Sequence, residues 1–230
     1  MNQIVTKGIV LARVNFGEAD RIVTMLTPDH GKIRLMAKGV RRIKSKLAGG
    51  IELYSVSDIT YIKGRGDIDT LVSSRLQKHF SNIAKDIDRT MAGYEMIKRL
   101  DKATEESPES EYYDLLEKAF EALDDSTVSL DVIWLWFTMQ LLRFDGHAPN
   151  LKTDDAGQKL DVSNAYQFNH DHMAFAAHEN GKFDADHIKF LRLGFAGTQA
   201  KILQMVQGSG ELTSAVLPLV NDMASAYIRN

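Results

Sequence analysis

A chain of 230 residues with 44% hydrophobic side chains can build a sizeable core in one or two domains, and its lack of cysteine excludes disulfides and thiolate metal sites. No apolar run reaches the length of a membrane span, and the opening MNQIVTKGIVLARVN lacks a signal-like apolar region, so a soluble intracellular protein is expected. The net charge of −3 hides a split: residues 1–80 hold 14 Lys+Arg against 7 Asp+Glu, a net +7, and the remainder holds 14 against 24, a net −10. Halves of opposite sign predict two domains with different partners, and a basic first domain suits nucleic acid.

In chain order, Ile4–Asn15 has the mixed apolar and β-branched character of a strand. Phe16-Gly17-Glu18 is a turn, and Arg21–Thr27 is a second strand. Pro28-Asp29-His30-Gly31 is another turn. Lys32–Lys38 alternates basic or small residues with Ile33, Leu35 and Ala37, as a half-buried strand does. Ile51–Lys63 is a fourth strand, rich in Tyr, Val, Ile and Thr. Gly64-Arg65-Gly66-Asp67 turns the chain into a fifth, Ile68–Leu76. Five short strands in about 75 residues predict a small β-barrel of the OB type.

From Ser81 the period changes. Ile83, Ile87, Met91, Tyr94, Ile97 and Leu100 recur at helical spacing, with Ser81 as the cap. Thr104–Ser110 is a polar break, and Tyr112, Leu115, Leu116, Ala119, Phe120 and Leu123 mark a second helix capped by Ser110. Leu130–Phe144 is apolar nearly all round and predicts the centre of the helical core, so Trp134, Trp136 and Phe137 read as packing residues rather than a base-stacking platform. Residues 145–181 are irregular and polar. Helices resume at Asp184–Leu193, Thr198–Gln207 and Glu211–Ile228, the last with Pro218 inside it. The fold class is therefore mixed, β then α. An OB-type barrel over residues 1–80 precedes an all-helical domain over residues 81–230, with an irregular insert at about 145–181.

One stretch stands apart in chemistry. Gly31–Gly50 carries Lys32, Arg34, Lys38, Arg41, Arg42, Lys44 and Lys46 and no acid. A strand that hands cations to a basic loop can follow a phosphate backbone, although a charge run taken alone is equally a solvated loop. These seven residues are the candidate DNA contacts. Phe16, Tyr54 and Tyr61 are the aromatics available nearby for stacking, and the small barrel core competes for each of them. The search for catalysis returns little. There is no P-loop and no Gly-x-Ser-x-Gly elbow. His170, Asp171, His172, His178 and Glu179, with Asp184, Asp186 and His187 beyond, are the one group that reads as a metal or hydrolase cluster, and their loop spacing matches no helical ligand pattern. Neither catalysis, a cofactor nor a metal is expected.

Three runs carry a resemblance. The first is Phe16-Gly17-Glu18-Ala19-Asp20-Arg21-Ile22-Val23, and the second is Leu26-Thr27-Pro28-Asp29-His30-Gly31-Lys32. The third is Ala37-Lys38-Gly39-Val40-Arg41-Arg42-x-Lys44-Ser45-Lys46-Leu47-Ala48-Gly49. Together they resemble the RecO family of DNA recombination and repair mediators. Leu141-Leu142-x-x-x-Gly146-x-Ala148-Pro149-Asn150-Leu151 is similar to that family's link from helical core to zinc segment. The resemblance implies an OB domain followed by a helical domain, in a cytoplasmic, nucleoid-associated bacterial protein. It implies binding of single- and double-stranded DNA, annealing of complementary strands, and loading of RecA onto strands coated by single-strand binding protein. The partners it implies are RecR and the acidic C-terminal tail of single-strand binding protein. Many family members place two Cys-x-x-Cys pairs after the Ala-Pro-Asn motif. Here the corresponding places hold Thr153 and Ala156, and Ala177 and Asn180, so zinc is not carried over. Two other classes of function stay open from the residues: a protein–protein adaptor built on the OB barrel, and a hydrolase using the 170–187 cluster.

Overall fold

Five strands form in the expected order: β1 (Gln3–Phe16), β2 (Asp20–Thr27), β3 (Gly31–Ala37), β4 (Ser55–Ile62) and β5 (Asp69–His79), with β4 starting four residues later than Ile51 and β5 running three residues past Leu76. The computed structural model describes residues 3–104 and 110–228. The strands run in the order β1-β2-β3-β5-β4, and β4 pairs back onto β1 to close a barrel of the OB type. All ladders are antiparallel except the seam between β3 and β5, a parallel contact of Leu35 with Asp69 and Met36 with Thr70. Val10, Val23, Met25, Leu35, Ile59 and Tyr61 fill the interior.

The change of period near residue 80 marks where strand gives way to helix, and the break in packing lies further on. One compact unit is Met1–Asp125 and the other is Ser126–Asn230. The first therefore contains α1 (Ile87–Ala103) and α2 (Ser110–Asp124) as well as the barrel. The cap of α1 is Asp86, whose carboxylate accepts from the N–H groups of Asp88 and Arg89; Ser81 lies before a short turn of 3-10 helix at Ile83–Lys85. Arg89, Gly93, Met96, Ile97 and Leu100 form the buried face of α1. Ile87, Met91 and Tyr94, whose spacing predicts burial, are instead 72%, 61% and 56% exposed. The cause is local. Gly93 admits the Tyr54 ring, where a Cβ would lie 2.8 Å from Tyr54 Cε1. The helix is thereby rolled so that Gly93, not its neighbouring apolar stripe, meets the barrel.

Phe120 of α2 meets the rings of Tyr54 and Phe80 at 5.4 and 5.5 Å. The buried Arg89 guanidinium donates to the carbonyls of Leu123 and Asp125 at 2.8 and 3.1 Å, satisfying the end of α2. Ser110 is the first described residue of α2, and the break before it lies largely outside the described residues.

In the second unit α3 (Leu130–Phe144) is the buried centre, packed by α4 (Ala185–Phe195), α5 (Ala200–Gln204) and α6 (Ser209–Tyr227). Trp136 and Phe137 are core residues, and the Trp136 indole N–H donates to the Thr198 carbonyl. Helix α6 continues through Pro218. This unit is not all-helical. The insert folds into β6 (Asn150–Asp154), β7 (Tyr166–Asn169) and β8 (Ala174–Ala177), a sheet in the order β6-β8-β7. Strands of four or five residues are too short for alternation to register against the polar turns around them.

Candidate nucleic-acid interface

The seven basic residues divide by what β3 does with them. Leu35 and Ala37 point into the barrel with Ile33, while Lys32, Arg34 and Met36 take the opposite parity. Lys32 is committed elsewhere: its Nζ donates to the Asp101 carbonyl at 2.7 Å and lies 3.1 Å from the Asp101 carboxylate, in the last turn of α1. A cation there complements the helix C-terminus. Arg34, Lys38, Arg41, Arg42, Lys44 and Lys46 are exposed.

The loop after β3 is a chain of turns with two anchors. At its start the Asp20 carboxylate accepts from the Gly39 N–H at 2.7 Å, and the Arg41 N–H donates to the Ala19 carbonyl at 2.9 Å. The Arg41 guanidinium also donates to the Gly17 carbonyl at 3.2 Å, which ties the loop to the β1–β2 turn. At its far end Leu47 and Ala48 pack on the barrel core, and Ser74 Oγ donates to the Leu47 carbonyl at 2.9 Å. Gly50 is needed at that contact, because a Cβ there would sit 2.5 Å from Ser74 Oγ. Between the anchors Arg41, Arg42, Ile43 and Lys44 stand in solvent.

The outer face of β1, β2 and β3 completes the surface. Ile9 and Leu26 pair across the strands but are buried outside the barrel's interior cluster, on the part of the sheet that α1 and α2 lie against. Beyond a register shift between Val10 and Ala12 the face opens. Ala12, Thr24 and Arg34 form one cross-strand row, and Val14, Ile22 and Met36 form the next. Val14 is 61% exposed, and Phe16, the next residue of that parity, is 53% exposed. Of the three aromatics noted in the sequence, Tyr54 and Tyr61 are core residues and Phe16 is on the surface. Val14, Ile22 and Met36 were not singled out from the sequence. The signal that finds them is register: they share a face with Arg34 once β1, β2 and β3 are paired.

The 170–187 group does not converge. Among the described residues no three His, Asp or Glu side chains are placed to share a metal ion. His170 packs on Phe168, and His178 Nδ1 accepts from the Asn180 N–H. Asp184 and His187 form the capping box of α4, and the His187 backbone N–H holds the Asp184 carboxyl below its usual range. The places of the family's cysteine pairs fall at the ends of β6 (Thr153) and β8 (Ala177) and in the segments that follow (Ala156, Asn180), and the Asp155 N–H just after β6 donates to the Phe175 carbonyl of β8 at 2.9 Å. Thr153 Oγ accepts from the Asn150 amide there, and Ala156 and Ala177 offer no ligand atom. These residues do not fit zinc. Elemental analysis of purified protein is expected to find no stoichiometric zinc, and chelator is expected to leave the melting temperature unchanged. About one zinc per chain would overturn this.

No helix among the described residues is long and apolar enough to cross a membrane. A closed five-stranded barrel with a cationic loop, followed by helices, defines an OB-barrel protein with a helical extension. The family model described as Recombination protein O N terminal matches residues 1–80, and Recombination protein O C terminal matches residues 84–217. The chain belongs to the RecO family. It is 35% identical over 148 residues to the DNA repair protein RecO of Dehalococcoides mccartyi, covering 64% of this chain and 58% of that one. It is 37% identical over 145 residues to the protein of the same name from Rhodopirellula baltica, covering 61% and 53%. Against that of Alkaliphilus metalliredigens it is 28% identical over 188 residues, covering 81% and 75%. The first two matches span little more than half the length of those relatives.

Proposed function

We propose that this protein is a mediator of DNA repair and homologous recombination that binds single- and double-stranded DNA and anneals complementary strands. On this reading it also helps to load RecA onto strands coated by single-strand binding protein, with RecR and the acidic tail of that protein as partners. The observation that carries the DNA part is the gathering of Arg34, Lys38, Arg41, Arg42, Lys44 and Lys46 in solvent on one strand and one anchored loop. Annealing needs no activated nucleophile. It needs cations that relieve repulsion between two phosphate backbones and leave the bases free to pair. Membership of the family, and relatives named DNA repair proteins, support the wider role.

The test is annealing of two complementary labelled oligonucleotides, with and without single-strand binding protein. Acceleration in both conditions is expected, and no acceleration in either would overturn the reading. One observation favours the adaptor alternative: the exposed stripe Ile87, Met91 and Tyr94 on α1 is the kind of surface a protein partner covers. Salt-dependent binding of an oligonucleotide by the isolated protein separates the two.

A further inference from the structure

We propose that the open outer face of β1, β2 and β3 is a stacking platform for unpaired bases, with Phe16 as the ring that a base covers. The proposal rests on the DNA reading above and assigns the part of the surface that distinguishes single strands from duplex.

The loop alone is a site for phosphates, and point charges serve a duplex and a single strand alike. The face at its foot is different in chemistry. Val14, Ile22 and Met36 lie side by side across three strands, at spacings of about 5 Å. Phe16 lies two residues beyond Val14, roughly 7 Å along β1. Val14 and Phe16 are exposed and Ile22 and Met36 half-buried, whereas the neighbouring Ile9 and Leu26 are buried, so this end of the sheet presents an apolar surface of base size. Cations frame it. Arg34 and Lys38 stand on either side of Met36 along the chain, and Arg41 is bonded to Gly17, the residue after Phe16. The one carboxylate paired opposite Phe16, Asp20, is occupied by the Gly39 N–H.

That arrangement selects its occupant. A duplex turns its base faces inward and offers only phosphates and groove edges. A single strand offers phosphates and exposed π-faces together, and aromatic side chains beside a cationic track are how such strands are held without regard to sequence. A row of apolar groups framed by Arg34, Lys38 and Arg41 fits that polymer and repels a basic one.

The experiment compares Phe16→Ala, Phe16→Leu and Phe16→Tyr with the parent protein, using a labelled oligothymidylate and a hairpin duplex at one ionic strength. Phe16→Leu keeps an apolar side chain and removes only the ring, so it answers the question even if Phe16→Ala folds poorly. Loss of one stacked base weakens single-strand binding roughly five- to a hundredfold. Duplex binding is expected to change less than about twofold, the salt slope to stay that of the parent, and Phe16→Tyr to bind as the parent does. Equal losses on both probes, or no loss on either by Phe16→Leu, would overturn the platform. If duplex binding and its salt slope stay those of the parent protein in either case, the cationic loop still stands. If the parent protein binds neither probe, the DNA reading falls and the platform with it.

Discussion

Reversing three charges at the loop tip, Arg41→Glu, Arg42→Glu and Lys44→Glu together, is expected to weaken binding of every DNA sequence tested while the fold stays intact. These side chains stand in solvent between the two anchors of the loop, and surface changes of this kind usually fall within about 0.5 kcal/mol each. Arg41→Glu gives up one exposed bond, from its guanidinium to the Gly17 carbonyl, while the backbone bonds of Gly39 and Arg41 and the packing of Leu47 are kept. If the three cations neutralise three phosphates of a single strand, the slope of log affinity against log salt flattens by about 2, since each phosphate contributes roughly −0.7. At a salt concentration of about 0.1 M that corresponds to a loss on the order of a hundredfold, relative to a high-salt limit where the term vanishes. Annealing should fall in parallel because it uses the same surface. Fluorescence anisotropy titrations over a salt series measure both quantities. A triple variant that binds and anneals with the parent's slope would remove the loop from the interface and favour the adaptor.

Phe175→Ala is expected to produce the largest loss of stability in the second unit. Phe175 is fully buried, and its ring meets those of Phe168, Phe183 and Tyr166 at 5.2, 5.5 and 6.4 Å. Truncating a buried Phe costs about 3–5 kcal/mol through lost transfer energy and the cavity left behind. For a unit of this size the melting temperature should fall by on the order of 10 °C or more. The physical point is that this aromatic cluster ties β7 and β8 to each other and to Phe183 before α4 through packing alone. A calorimetric shift of only a degree or two would mean that something else holds the sheet.

The sequence was most legible where one period runs uninterrupted. The parity of Ile33, Leu35 and Ala37 fixed which side of β3 faces the core, and the apolar run Leu130–Phe144 fixed the centre of the second unit. It was least legible where a distant partner decides. The closure of the barrel depends on β5 reaching β3, a pairing of only two residues, which no local pattern announces. The roll of α1 depends on the Tyr54 ring meeting Gly93, so that Ile87, Met91 and Tyr94 face water despite their spacing. At the candidate site, composition found the cations but not their separate uses. Lys32 looks like its neighbours until Asp101, far along the chain, takes its amine. Likewise Phe16, Tyr54 and Tyr61 are equivalent as letters, and only the wrapping of the sheet leaves Phe16 outside.

The two anchors of the basic loop also bear on the entropy of association. A polar stretch of this length left as free coil would have to surrender its backbone freedom on meeting a ligand, at about 1–2 kcal/mol for each residue fixed. Here that ordering is already done during folding: Arg42 and Ser45 sit in successive turns closed by bonds from their N–H groups to the Gly39 and Arg42 carbonyls. What remains to be ordered on contact is the long side chains alone. Such a loop resembles a rack of charges set out in advance, and it should capture a passing backbone without first having to fold around it.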